Sequence, residues 1–238
     1  MRRKAHLLIA MEEQISAYGL RDGLSFCRVD GRAVFLDIQE DRYFRLSDRL
    51  ERAFTAWLDG DDSADGNLGD LVEHKVLAVA SPAVAKRAAQ AIASPLHSAV
   101  EQLAKPRPIG PLIVLDVFTA VCSTQRWLKT RRLQTVIEDV VAYRNEKASQ
   151  PLLPSTNQAL LDAANTFRTA RRYVPVESSC LLDSLSLVRF LARRHLSAQI
   201  VFGVTDDPFA AHCWVQAGTW ILNDTLGNAT THTPIRVV

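Results

Sequence analysis

No CxxC pair occurs in these 238 residues. The four cysteines, Cys27, Cys122, Cys180 and Cys213, stand far apart, and the adjacent His212-Cys213 pair falls on opposite faces of a predicted strand, so a zinc site is not expected. Charge of one sign is also missing. The net charge is +2, and the basic pairs Arg131-Arg132, Arg171-Arg172 and Arg193-Arg194 are dispersed over helix ends and polar faces. No basic stripe is interleaved with aromatics, which excludes a nucleic-acid groove. Long apolar runs are absent: the longest, Ile109 to Cys122, is broken by Asp116 and falls short of the ~20 residues a membrane span needs. Residues 1–13 begin basic but meet Glu12-Glu13 after a short apolar run, so no signal peptide is expected, and a cytoplasmic site with reduced cysteines follows. Nothing matches a GxxxxGK[ST] phosphate loop, so no cofactor is expected and any ATP chemistry belongs elsewhere. What remains, 47% apolar and 23% charged, is ordinary for a globular chain long enough for two cores.

The chemistry sits late in the chain. Cys180 follows Pro175-Val-Glu-Ser-Ser179 and opens an apolar stretch in which Leu181, Leu185, Val188 and Ala192 recur at helical spacing. It therefore reads as the first turn of a helix, where Ser178 or Ser179 can cap free N–H groups and the helix dipole favours thiolate over thiol. His212 lies in the alternating run Ala211-His-Cys-Trp-Val-Gln216, and Asp224 ends a second run from Thr219, with Ala217-Gly218 as a hairpin turn between them. Such a hairpin sets an imidazole beside a carboxylate that orients it, while the ring serves Cys180 as base. Singly, a helical Cys is usually a small buried hydrophobe, a strand His a hydrogen-bonded core group and a terminal Asp a turn residue. The ordered trio on helix, strand and adjacent strand is what points to nucleophilic catalysis.

Cys180-Leu-Leu-Asp-Ser184, the Arg193-Arg194 helix end, Ile200-Val-Phe-Gly-Val204, Pro208-Phe-Ala-Ala-His-Cys-Trp-Val215 and Asn223-Asp224 follow one family pattern in order. The chain resembles the lasso-peptide maturation protease, in the transglutaminase-like branch of papain-type cysteine enzymes, from about residue 109 to about 226. The resemblance implies that Cys180 is the nucleophile, His212 the general base and acid, and Asp224 the orienting carboxylate. Cys213 departs from the pattern, where a small residue such as Ala or Ser is more usual. Strand alternation turns it away from the face of His212 and Trp214, so it reads as core packing.

Two units are expected, 1–81 and 82–238. In the first, Leu24 to Val29 and Ala33 to Ile38 read as strands around an Asp30-Gly31 turn, Arg42 to Leu46 as a third strand, and Ser47 as the cap of a helix from Asp48 to Leu58. An acidic loop leads to a second helix, Leu68 to Leu77. The run from Val34 to Asp48 is similar to the winged-helix peptide-binding module of ribosomal peptide biosynthesis, the fold of the quinone-cofactor biosynthesis peptide chaperone. That likeness implies capture of a leader peptide as an added strand, with Leu24 to Val29 and the helix Leu68 to Leu77 as the expected contact. In the second unit, Leu112 to Tyr143 reads as two helices with Phe118 and Trp127 in the core, and Ser155 or Thr156 starts a helix through Arg172. Ala198 to Val204, His212 to Gln216 and Thr219 to Asp224 follow as antiparallel strands, with 205–211 looping over the site. The expected fold class is α+β: a small winged-helix-like domain, then a papain/transglutaminase-like domain of helices on an antiparallel sheet.

The function these readings imply is a cysteine endopeptidase that cuts the leader from a lasso-peptide precursor and hands the core to an ATP-dependent cyclase. Two rivals share the residues: an acyltransferase with the same trio, and a noncatalytic leader-binding scaffold in which Cys180 is an ordinary thiol.

Overall fold

The computed structural model describes residues 18–60, 65–79, 92–102, 108–149 and 157–238. The chain divides into two units, residues 1–90 and 91–238. The expected boundary at 81/82 and the helix start at Ser155 or Thr156 lie outside the described residues.

In the first unit, β1 (Tyr18–Leu20) is followed by β2 (Leu24–Val29), β3 (Arg32–Asp37) and β4 (Arg42–Arg45), then helices α1 (Asp48–Leu58) and α2 (Asp65–Glu73) and strand β5 (Leu77–Val79). The order β2-β3-β4 forms an antiparallel sheet, and β1 pairs with β5 separately. The β2–β3 turn needs positive φ at both central residues, and Asp30 at 50° and Gly31 at 81° supply it. Phe26, Phe35, Phe44 and Phe54 meet edge to face or stacked at 4.9 to 5.8 Å under α1. Phe35 and Phe54 are wholly buried, each worth about 1.5–3 kcal/mol by apolar burial. Ser47 occupies the N-cap of α1, but its hydroxyl makes no capping bond. Glu51, one turn in, instead accepts from the Ala33 N–H at 2.7 Å and ties the helix to β3. The second helix runs earlier than expected, ending at Glu73 with Leu77 already in β5.

In the second unit, β6 (His97–Ser98) precedes α3 (Pro111–Thr130), α4 (Leu133–Ala148), α5 (Asn157–Arg171) and α6 (Cys180–Ala192). Strands β7 (Gln199–Thr205), β8 (Ala210–Ala217) and β9 (Trp220–Ile221), helix α7 (Leu226–Thr230) and β10 (Thr233–Val237) complete it. The sheet order is β10-β7-β8-β9-β6, antiparallel except for β6, which runs parallel to β9. Helix α6 is buried along nearly its whole length, Ser184, Ser186 and Arg189 included, and packs against α3, α4 and β8. Asp116, the break in the apolar run, is bound by both Arg193 and Arg194. Trp127 lies beneath the Arg189 guanidinium at 4.0 Å, whereas Phe118 is 39% exposed and not in the core as expected. The 205–211 loop shortens to a turn at 206–209 because both flanking strands extend, and the second hairpin turns at Gly218-Thr219, one residue later than the pattern suggests.

Gly203 of β7 faces His212 in register, and a Cβ there would lie 2.8 Å from the Trp214 ring and 2.9 Å from His232 Cβ. Gly203→Ala is expected to destabilise the unit by about 1–3 kcal/mol, read as a lower urea midpoint, because the neighbours are ring and main-chain-proximal atoms with no room to give.

Candidate active site

Cys180 is the first residue of α6 and half-buried. Of the two serines offered as caps, Ser179 serves: extended at φ −138°, it accepts the Leu182 N–H at 3.3 Å. The approach to Cys180 is clamped by Arg171, at the end of α5 and only 8% exposed. Its guanidinium donates to Asp183 Oδ1 at 2.7 Å and to the carbonyls of Val174 at 3.2 Å and Val176 at 2.9 Å. An arginine pair expected on a polar surface thus supplies one buried member.

His212 stands on β8, its ring 6.2 Å from Trp214. Its Nε2 lies 2.7 Å from Asp224 Oδ2. Asp224 does not end a strand: β9 stops at Ile221, and the carboxylate sits in the bend before α7. Three groups hold it there. The Thr225 N–H donates to Oδ1 at 2.8 Å, Asn228 Nδ2 to Oδ2 at 2.9 Å, and Ser98 Oγ to the Asp224 carbonyl at 2.6 Å. Burial pushes the Asp224 carboxyl up, but the hydrogen bonds from His212, Asn228 and Thr225 outweigh it and hold the group below its ordinary value. With Nε2 engaged by Asp224, Nδ1 is the ring nitrogen left for Cys180, which lines the same cavity.

The structure therefore brings the three expected residues together. His212 is pushed up to about 9, first by Asp224 and next by Cys180. The Cys180 thiol is pulled down to about 4, first by a hydrogen bond with the Cys213 thiol and then by His212, against the opposing effect of burial. Between those values the two form a thiolate–imidazolium pair. A cavity of about 280 Å³ opens beside the sulfur, walled by Phe167, Leu187 and Leu222 with Arg172 among its lining residues.

Alternation does place Cys213 opposite His212 and Trp214, and it is buried at 3% exposure, its thiol donating to Ser184 Oγ at 3.8 Å. That burial fits the expected core packing, although Cys213 also lines the cavity beside Cys180. Asn228 and Ser98 also escaped the sequence reading. Asn228 had a faint signal, standing four residues after Asp224 behind the Thr225 cap, whereas Ser98 is 126 residues away and had none. Among the described residues no group of three or more His, Cys, Asp or Glu is placed to hold a metal, and no helix is long and apolar enough to cross a membrane.

No solved structure matches the chain. A 48-residue stretch is 42% identical to the Microcin J25-processing protein McjB of Escherichia coli, covering 20% of this chain and 23% of that protein. The model of the Transglutaminase-like superfamily matches residues 118–237, from within α3 to the last strand, and so includes α6, the four antiparallel strands β7 to β10 and the Cys180–His212–Asp224 series together. Half the chain thus follows one family's pattern, and the protein belongs to the transglutaminase-like superfamily.

Proposed function

We propose that the chain is a cysteine endopeptidase that removes the leader from a ribosomally made lasso-peptide precursor in the cytoplasm. One observation carries this reading: a thiol at a helix start shares one cavity with an imidazole that a carboxylate holds at 2.7 Å. Cys180 is the nucleophile, His212 the acid and base, and Asp224 the orienting group. The Cys180 thiolate attacks a backbone carbonyl, the His212 imidazolium gives its proton to the departing amine as the C–N bond breaks, and a thioester remains. Water then attacks with His212 as base, releasing the leader carboxylate and restoring the pair. The Cys180 backbone N–H, one of the unpaired donors of a first helical turn, faces the developing oxyanion. The likeness to a protein named for processing microcin J25 supports a peptide substrate. The new amino terminus would pass to an ATP-dependent lasso cyclase.

The proposal includes leader capture by the first unit. β2 and β4 are the two edges of its sheet, and the cavity that α2 borders opens beside β4, lined by Phe44, Leu50, Asp70 and Val76. The leader would add as an extra strand at one of these edges and pack its side chains against α2.

The test is mass spectrometry of the cognate precursor incubated with the chain in heavy-oxygen water, with and without the cyclase and an added small amine. Hydrolysis places one heavy oxygen in the released leader. A leader carrying the amine instead makes the chain an acyltransferase, and a bound but uncut peptide makes it a scaffold; either outcome overturns the proposal.

A further inference from the structure

The cavity beside Cys180 has an apolar side, formed by Phe167, Leu187 and Leu222, and a ring of charge: Arg168, Arg171, Arg172, Asp183, His212 and Asp224. Those charges pair unevenly. Asp183 is taken by Arg171 at 2.7 Å and Asp224 by His212 at 2.7 Å. Two guanidiniums are left over. Arg168, half-buried, donates only to neutral acceptors, the Val100 carbonyl at 3.3 Å and Asn165 Oδ1 at 3.0 Å, so it is held in place with its charge uncompensated. Arg172, exposed, has no hydrogen-bond or ion-pair partner among the described residues. It follows the last residue of α5, one turn on from Arg168, so two like charges stand on one side of the helix end and repel. The negative end of the α5 dipole favours cations in general, but it gives no reason for these two to line the cavity that holds the nucleophile.

We infer that Arg168 and Arg172 make this cavity a receptor for a carboxylate of the peptide substrate. An acidic side chain beside the scissile bond lays its methylene stem on Phe167, Leu187 and Leu222 and sets its charge against the two guanidiniums. Arg172 makes the direct contact, because its whole planar fork is available to grip a carboxylate through two parallel N–H bonds. Arg168, with two of its five N–H groups already engaged, contributes mainly charge. The apolar wall strengthens that attraction by keeping water from one side of it. Selection works by exclusion as well. A neutral side chain of the same size would cover both cations and leave them without a partner, which costs binding free energy that an acidic one recovers.

This inference rests on the proposed nucleophile, but its first test needs no peptide cleavage, so the two fail separately. Cys180 is alkylated with iodoacetate, which carries a carboxylate, and in parallel with iodoacetamide, its neutral counterpart. The modified residue is located by peptide mass, and the fold is checked by circular dichroism. Arg172→Gln is expected to lower the iodoacetate-to-iodoacetamide rate ratio roughly threefold, the effect of losing one part-exposed ion pair, and Arg172→Glu to lower it roughly tenfold. Arg172→Lys, which keeps the charge, should retain most of the ratio. A ratio that Arg172→Glu leaves at its wild-type value overturns the inference while the thiol chemistry stands; an inert Cys180 removes both. The second test uses the cognate precursor, with each acidic residue within about four residues of the cut, the reach of an extended segment across the cavity, replaced in turn by its amide. One replacement is expected to raise KM about tenfold with the wild-type chain and to add little with Arg172→Gln, whose side of the pair is already gone. A precursor with no acidic residue in that stretch overturns the assignment, as do amide and Arg172→Gln losses that simply multiply.

Discussion

Cys180→Ala is expected to slow cleavage of a precursor peptide by roughly 10^6 in kcat while the peptide still binds. The sulfur carries the acyl group through the proposed reaction, whereas the proposed leader capture belongs to a different unit of the chain. Cys180→Ser should be nearly as damaging. The site is arranged around a nucleophile that is already an anion, with a thiol held at about 4 beside an imidazole held at about 9, and a serine hydroxyl does not ionise there. The depressed thiol does not make the sulfur faster without limit. At pH 6 it carries about 10^3 more thiolate than an ordinary cysteine, but a weaker base is a poorer nucleophile by about 10^2 over that span, so the net gain is roughly tenfold. The larger benefit is that the anion persists in mildly acidic solution. Single-turnover cleavage followed by mass spectrometry gives the comparison, and a loss smaller than about tenfold in the alanine variant would remove the thiol from the mechanism.

Asp224→Asn is expected to lower kcat by about 10^2 to 10^4 and to move the alkaline side of the pH profile downward. In the wild-type chain, kcat/KM should be bell-shaped. Activity is lost as pH falls through about 4, where Cys180 takes up a proton, and as pH rises through about 9, where His212 can no longer protonate the leaving amine. The Asp224 hydrogen bond is the first cause of the raised imidazole, so removing its charge brings the alkaline limb back toward about 6.5. Folding stability gives an independent reading with a fixed sign. A histidine raised in the folded state contributes stability that is complete below about 6.5 and is lost as pH rises through about 9, so the variant's deficit in urea unfolding should be widest in mild acid and disappear in alkali. An alkaline limb that stays at its wild-type position would mean that Asp224 does not hold the imidazolium.

The parts of this molecule that were legible in the sequence are those whose causes are local. Asp30-Gly31 demanded positive φ and took it; Ser179 stood one residue before an apolar helix and capped it; the alternation through Trp214 fixed which way His212 faced. The trio itself was readable because each member carried a local context, and their meeting required only a helix, a strand and a turn in sequence. The unreadable parts depend on chain segments distant in sequence. Ser98 reaches Asp224 from a two-residue parallel strand, and no pattern in so short a segment announces its partner. Cys213 was placed on the correct face by alternation, but the Ser184 and Asn223 side chains joined beside it come from a helix and a bend that no local pattern ties to β8. Phe118 sits on a helix whose apolar residues go nearly all the way round, so periodicity had no means of choosing the buried side.

Arg171 addresses the segment ahead of the nucleophile through carbonyl groups, those of Val174 and Val176, together with the Asp183 carboxylate in the first turn of α6. A guanidinium that binds main-chain oxygens is blind to the side chains around them. The exposed residues between α5 and α6 can thus be exchanged without loosening this anchor, while the sulfur stays where one buried fork has set it. Arg171 itself has no such freedom, because a lysine offers a single point of charge where a rigid, branched one spans two carbonyls and a carboxylate.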